Sequence, residues 1–387
     1  MKILIVHPQM AIYGGAEVVI VKLAKWLMRH NHEVSIATLT TDDHADYKGL
    51  DIIVPENEKE RIQYHLRNGS LSTLNEIAHI YFNLRNLVMK LSDKYDVINA
   101  HNFPTIWTCP KNKPIVWMCN EIPDLWHNQQ VNKYINPFLN VGRFGDRVIT
   151  DSKHAIAVVA DDGMAKLFKH RYGYQPEIVT YGVDGEFYYN NRDDKYLLKI
   201  MEKYGINKSK SFVIIQPSMI SPSKQQLEIL KAITMIGVAN IKMLFTGYRE
   251  RTNPYTIKVK EYIAEHEIDA VFTDMCVGSK TEMPYLYKLA HVSVLMGKGQ
   301  GSWLSPLESI VSGCPTIVSP NLTVSSVIRE HELGLVTTDT AWGIKQVYRD
   351  YQRFQLHNIK AQNYVLNNFT WDRYCQSLND LMVRCCR

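Results

Sequence analysis

Short, uninterrupted apolar runs alternate with helix-period stretches along almost the whole of this chain. KILIVH (2–7) gives way at Ala16 to a helical pattern with Ile20, Leu23 and Leu27 on one stripe, and HEVSIATL then returns to a strand pattern. The same order recurs through YDVINAH (95–101), KPIVWMC (113–119), DRVITDS (146–152) and PEIVTYG (176–182), with helical stretches near 75–94 and 153–171. Continuous apolar strands joined by helices are the mark of a parallel sheet covered on both faces. Between about 188 and 210 the chain turns polar and charged, as domain connectors do. A second series follows: SFVIIQP, IKMLFTGY, DAVFTDM, HVSVLMG, PTIVSP and LGLVT, with helices starting near Lys224, Pro254, Thr281, Leu304, Val324 and Ala341. The expected fold class is therefore α/β, with two Rossmann-like parallel-sheet domains facing a cleft.

Composition excludes several alternatives. At 387 residues, 45% hydrophobic and 21% charged, the chain is an ordinary globular one that exceeds a single core. A formal charge of +5 is too small and too evenly spread to argue for nucleic acid, though it suits an anionic substrate. The seven cysteines form no CxxC and no histidine-interleaved metal spacing, so they read as reduced thiols. No apolar run reaches 18 residues and Pro8 closes the first one, which points to a cytoplasmic protein.

Ligands of open α/β sheets gather at the carboxyl ends of the strands, so the loops after strands carry the chemistry. In HPQMAIYGGAE, Gly14 and Gly15 precede a helix and let backbone amides approach an anion at its positive end. In PSMISPSKQQLEIL, Lys224 stands at a helix start, a poor place for a cation unless a phosphate lies there. In GKGQGSWLSPLE, glycines 297, 299 and 301 lead from a strand into a helix whose first amides, around Trp303 to Leu307, can hold a diphosphate, with Lys298 to neutralise it. Glu308 shares the apolar stripe of that helix with Leu304, Leu307 and Val311. Two readings stand for it: the third position of a capping box led by Ser305 and Pro306, or an acceptor for a vicinal diol such as a ribose.

Taken together these loops resemble the family 4 glycosyltransferases. The likeness rests on GGAE (14–17), YDVINAH (95–101), VITDSKHA (148–155), YGVDGEFY (181–188), SPSK (221–224), LFTG (244–247), LESIVSGCPTIVS (307–319) and FTWDRYCQSL (369–378). The resemblance implies the GT-B fold, with an N-terminal acceptor domain over 1–188 completed by a C-terminal helix at 366–387, and a nucleotide-sugar-binding domain over 189–365. It implies retaining, metal-independent transfer of a hexose from a GDP- or UDP-sugar to a glycan, glycolipid or lipid-linked acceptor, without a further cofactor; the chain has no Asp-x-Asp. Peripheral attachment at the inner face of the membrane would fit a lipid-linked acceptor, and 163–174, with Lys166, Lys169, His170 and Arg171 beside Leu167 and Phe168, is the segment to supply it.

By the same resemblance Glu308 holds the donor ribose, Lys224 contacts the phosphates, Gly14 and Gly15 form the glycine loop, and Gly301, Trp303, Leu304 and Ser305 line the diphosphate. Three positions depart from the family pattern. Gln300 replaces the first glutamate of the Glu-x7-Glu motif, Met219 replaces an arginine, and the histidine after PIVW is absent, leaving Asn120 and Glu121, with His101 as another polar group at a strand end. Each of the last three has an equally plain structural reading as a turn or a satisfied histidine. Gln300, Lys224, His101 and Glu121 are thus the catalytic candidates. The departures keep a second function class open, a non-catalytic GT-B subunit supporting an active partner.

Overall fold

The computed structural model describes residues 1–11, 14–57, 70–122, 136–153, 155–190, 193–247, 252–273, 282–297 and 303–387, with backbone alone at 70–76 and 136–140. The chain forms two compact units, Met1–Thr180 with Trp371–Arg387, and Tyr181–Thr370.

The first unit carries seven strands: β1 (Lys2–Val6), β2 (Glu33–Ala37), β3 (Asp51–Ile53), β4 (Val97–His101), β5 (Ile115–Met118), β6 (Ile156–Val159) and β7 (Glu177–Ile178). Their spatial order is β3-β2-β1-β4-β5-β6-β7, every pairing parallel. The chain reverses its direction of travel across the sheet between β1 and β4, which opens a crevice at their carboxyl ends. Ile3 to Val6 and Ile115 to Met118 have no exposed surface, as strands covered on both faces require. The helix Trp371–Cys385 returns to this unit, where Trp26 Nε1 donates to Asp372 Oδ1 at 3.0 Å and Arg384 pairs with Glu177.

The second unit carries β8 (Phe212–Gln216), β9 (Ile241–Phe245), β10 (Asp269–Phe272), β11 (Val292–Leu295), β12 (Thr316–Val318) and β13 (Leu335–Val336), in the order β10-β9-β8-β11-β12-β13, again all parallel. Its reversal lies between β8 and β11. The division between units falls ahead of the polar stretch expected to join them, because Tyr181 packs edge-on against Trp303 and Val183 bridges Thr370.

The stretch 146–171 departs from the sequence reading, which expects a strand at 146–152 and a helix over 153–171. DRVITDS is no strand: it closes the helix Asn136–Asp151, and the sixth strand is Ile156–Val159. The helix is turned polar side inward. Asp146, Thr150 and Lys153 are buried, while Val141, Phe144 and Val148 are 71%, 70% and 49% exposed. Asp146 anchors it, accepting from Trp107 Nε1 at 2.9 Å, Tyr172 Oη at 3.0 Å and Arg171 Nη2 at 2.5 Å, and Lys153 Nζ donates to Cys109 O at 2.6 Å. An inward-facing polar set at intervals of four and three defeats any reading by apolar period.

Candidate functional site

In the second unit the carboxyl ends of β8, β9 and β11 come together at the reversal point. Gly247, just past β9, lies against the chain that leaves β8: a Cβ there would stand 1.8 Å from Ser218 O and 2.4 Å from Met219 N. Only a residue without a side chain permits that approach. Past Met219 the chain makes a single 3₁₀ turn, Pro222–Lys224, locked by Gln216 Nε2 donating to Lys224 O at 2.7 Å, and Gln225 at φ 59° turns it into the helix Gln226–Met235. This turn brings Lys224 to the loop that follows β11. A Cβ on Gly297 would lie 3.2 Å from Ser223 O and 3.8 Å from Lys224 Cδ. The lysine stem therefore lies across the first glycine of the loop that leads to Glu308. Lys298, Gln300 and Gly301 lie outside the described residues.

The helix after that loop is Leu304–Val311, two residues earlier than a Ser305 cap would require. Ser305 Oγ donates to Pro217 O at 3.1 Å, tying the helix start to the end of β8. The capping box expected of Ser305 and Glu308 is thus replaced: Ser305 is inside the helix and its hydroxyl is engaged elsewhere. Glu308 is half-buried, with Tyr287 Oη 3.4 Å from its Oε2. Trp303 is 6% exposed and packs edge-on against Tyr181 and Phe369, so its indole belongs to the core. Leu304 and Ser305 supply the first helical amides, whose unpaired N–H groups point out of the helix start.

In the first unit His7 directly follows β1 and His101 ends β4, neighbours across the reversal point since Val6 pairs with Ala100. His7 Nε2 lies 3.1 Å from Glu17 Oε1, and Glu17 Oε2 accepts from the Gly14 amide at 2.8 Å. Gly14 caps the helix Gly15–Arg29, and its N–H is occupied by Glu17 rather than offered to an anion. His101 is wholly buried, its Nε2 donating to Asn99 Oδ1 at 2.8 Å. Burial, helped by the neighbouring His7, holds its pKa down to about 3, so the ring is neutral near pH 7. The Nδ1 atoms of both histidines are buried without a hydrogen-bond partner. Asn120 donates to Asn102 Oδ1, joining the ends of β4 and β5, and Glu121 is exposed beside it.

His7 and Glu17 were not among the residues singled out by sequence. Their signal is the glutamate three residues after the glycine cap, a capping-box spacing, in a loop that begins with an imidazole at a strand end.

The segment 163–174 forms the helix Asp162–Tyr172, capped by Asp161. Phe168 belongs to the core with Met164, Ala165 and Tyr172, so only Leu167 remains as an exposed apolar residue beside Lys166, Lys169 and His170, which corrects the expected pairing of Leu167 with Phe168. Among the described residues no helix is long and apolar enough to cross a membrane, and no cluster of three histidine, cysteine or acidic side chains is placed to hold a metal.

Two family models match the chain, Glycosyltransferase Family 4 over residues 13–187 and Glycosyl transferases group 1 over 198–363. No curated protein sequence matches it. Similar solved structures include HepE of Anabaena in complex with UDP-glucose, at 16% identity and TM-score 0.77, covering 99% of this chain and 100% of the other. Sucrose-phosphate synthase of Thermosynechococcus elongatus superimposes at 12% identity and TM-score 0.78, over 99% and 98% of the two chains. WaaG, a glycosyltransferase involved in lipopolysaccharide biosynthesis, does so at 12% and 0.75, over 98% and 99%. With one model covering most of each unit and two doubly wound parallel sheets of the GT-B kind, the chain belongs to the family 4 glycosyltransferases.

Proposed function

We propose that this chain is a retaining glycosyltransferase that moves a hexose from a UDP- or GDP-sugar to a glycan, glycolipid or lipid-linked acceptor, with no metal taking part. The observation that carries the reading is the convergence at the β8–β11 reversal point: Lys224 beside Gly297, the helix start tied to Pro217, and Glu308 one turn inside. In this reading the helix amides and the Lys224 ammonium face the diphosphate, and Glu308 accepts from the ribose hydroxyls.

Chemically, negative charge builds on the leaving diphosphate as the glycosidic bond breaks, and groups already oriented toward it stabilise that transition state more than the ground state. Lys224 supplies a full charge and the helix start a fraction of one. The first unit would take the acceptor around its own reversal point, where His7, His101, Asn120 and Glu121 gather. His101, neutral and buried, would act there through its neighbours rather than as a proton carrier. HepE was crystallised with UDP-glucose, which makes a UDP-hexose the first donor to try. Peripheral membrane attachment belongs to the same proposal, since it would serve a lipid-linked acceptor.

The test is donor turnover. Each of UDP-glucose, UDP-galactose and GDP-mannose is incubated with the protein and lipid-linked or soluble glycan acceptors, in buffer with and without EDTA. Release of nucleoside diphosphate, unaffected by EDTA, with an α-linked product by NMR from an α-linked donor, is the expected result. A β-linked product, or loss of turnover on chelation, overturns the retaining or metal-independent part. Tight nucleotide binding with no turnover on any acceptor favours the non-catalytic subunit, for which the Gln300 and Met219 departures are the specific motive.

A further inference from the structure

Two tyrosines from separate elements of the second unit converge on Glu308. Tyr287, on the helix Met283–Leu289, has no exposed surface, and its hydroxyl lies 3.4 Å from Glu308 Oε2 and 3.3 Å from Ser305 O. Tyr188, on the short helix Gly185–Tyr189 that opens this unit, is 5% exposed, and its phenol feels the Glu308 charge most strongly among its charged neighbours. The two rings meet edge-on with centroids 6.1 Å apart. Burial first, and the Glu308 charge next, push both phenols well above their ordinary pKa, so both remain protonated donors.

A glutamate on a helix has three rotatable side-chain bonds and costs rotamer entropy to fix. A pair of phenol donors fixed by packing on the inner side of the carboxylate removes that freedom before any ligand arrives, the arrangement by which supporting groups orient a binding residue. It also offsets the desolvation of a charge placed on an otherwise apolar helix face. An acceptor held in one orientation discriminates between a vicinal diol and a single hydroxyl, whereas a freely rotating one recovers much of its bonding to either.

We propose that Tyr188 and Tyr287 are positioning residues that set the Glu308 carboxylate for a ribose diol, and thereby fix the preference of this site for ribonucleotides over 2′-deoxyribonucleotides. The proposal rests on the reading of Glu308 as the ribose ligand. Losing one hydrogen bond to a charged group corresponds to roughly a ten- to hundredfold drop in affinity, which is the preference expected of the wild type.

The experiment is calorimetric titration with UDP, GDP and ADP and their 2′-deoxy forms, on the wild type, Tyr287→Phe, Tyr188→Phe and Glu308→Gln. Phenylalanine keeps the ring packing, and the two tyrosine variants carry the same test independently if one of them folds poorly. The expected result is a ribo-to-deoxy ratio that falls several-fold in each tyrosine variant, mainly through weaker ribonucleotide binding, and is lost in Glu308→Gln. Tyrosine variants that keep the wild-type ratio, or weaken both nucleotides equally, overturn the proposal while leaving the Glu308 reading standing. A wild type with no preference, or a preference that survives Glu308→Gln, overturns the ribose reading and the tyrosine proposal with it.

Discussion

His101 makes the first unit acid-sensitive by an amount that its surroundings determine. The ring is wholly buried at the end of β4, and its pKa stands at about 3 against about 6.5 for an unfolded histidine. Between those values the unfolded chain binds a proton that the folded one refuses, so stability rises with pH across that window. The contribution is fully present above pH 6.5 and is lost as pH falls toward 3. At about 1.4 kcal/mol per unit of pKa, the full span is about 5 kcal/mol, and the part lost between pH 7 and pH 4.5 is about 2.5 kcal/mol. His101→Gln keeps a donor for Asn99 Oδ1 but has no proton to gain. Urea unfolding of both proteins at pH 7, 6, 5 and 4.5 gives the stability difference directly. Groups far from His101, including His291 with its own pKa lowered to about 4 in the second unit, cancel in that difference. The glutamine variant is expected to be the less stable at pH 7 and to close on the wild type by about 2.5 kcal/mol at pH 4.5. A difference that does not change with pH would refute the reasoning.

Other consequences follow from single contacts. Gly247→Ala places a methyl 1.8 Å from Ser218 O, a clash only backbone movement relieves; a loss of about 3 kcal/mol or more by denaturant unfolding is expected, whereas Gly237→Ala, with open space for its methyl, tests only the cost of its positive φ. Glu17→Ala strips an acceptor from buried His7 and from the Gly14 amide and is expected to cost about 1–3 kcal/mol, read by the same unfolding assay. Asp146→Ala leaves Arg171 without its carboxylate in a site where both are mostly buried, for an expected loss of about 3–5 kcal/mol. Trp26→Phe removes the 3.0 Å bond to Asp372 and should speed hydrogen exchange in the helix 371–385 more than in β1, since the bond holds that returning helix to the unit.

Both sheets were legible in the sequence because each strand buried on both faces, such as KILIV or FVIIQ, leaves a continuous apolar run that composition alone reveals. The helix Asn136–Asp151 was not, because its inward residues are Asp146 and Thr150, followed by Lys153, and they are satisfied by Trp107, Arg171, Tyr172 and Cys109 from distant parts of the chain. Local pattern holds no trace of such partners. At the candidate site the sequence singled out Lys224 and Glu308, since a cation at a helix start and a carboxylate on an apolar stripe are both conspicuous. It misassigned Ser305, which lies inside the helix and whose hydroxyl donates to Pro217 O rather than accepting from the first amides as a cap, and it was silent on Tyr188 and Tyr287, which approach Glu308 only once the unit is folded. Gly14 illustrates the converse: the glycine pair was visible, but Glu17, two residues further on, occupies the amide that the pair was expected to offer.

The most direct test of the nucleotide site is a set of melting curves with UDP, GDP, ADP and dTDP on the wild type, Glu308→Ala and Lys224→Ala. A ligand at a hundred times its dissociation constant stabilises the native state by about 2.7 kcal/mol, a shift of a few degrees. One diphosphate raising the midpoint of the wild type, with the rise lost in both variants and their ligand-free midpoints little changed, is the predicted result. No rise with any nucleotide, or a rise that survives in both variants, would contradict the placement of the donor at the β8–β11 reversal point.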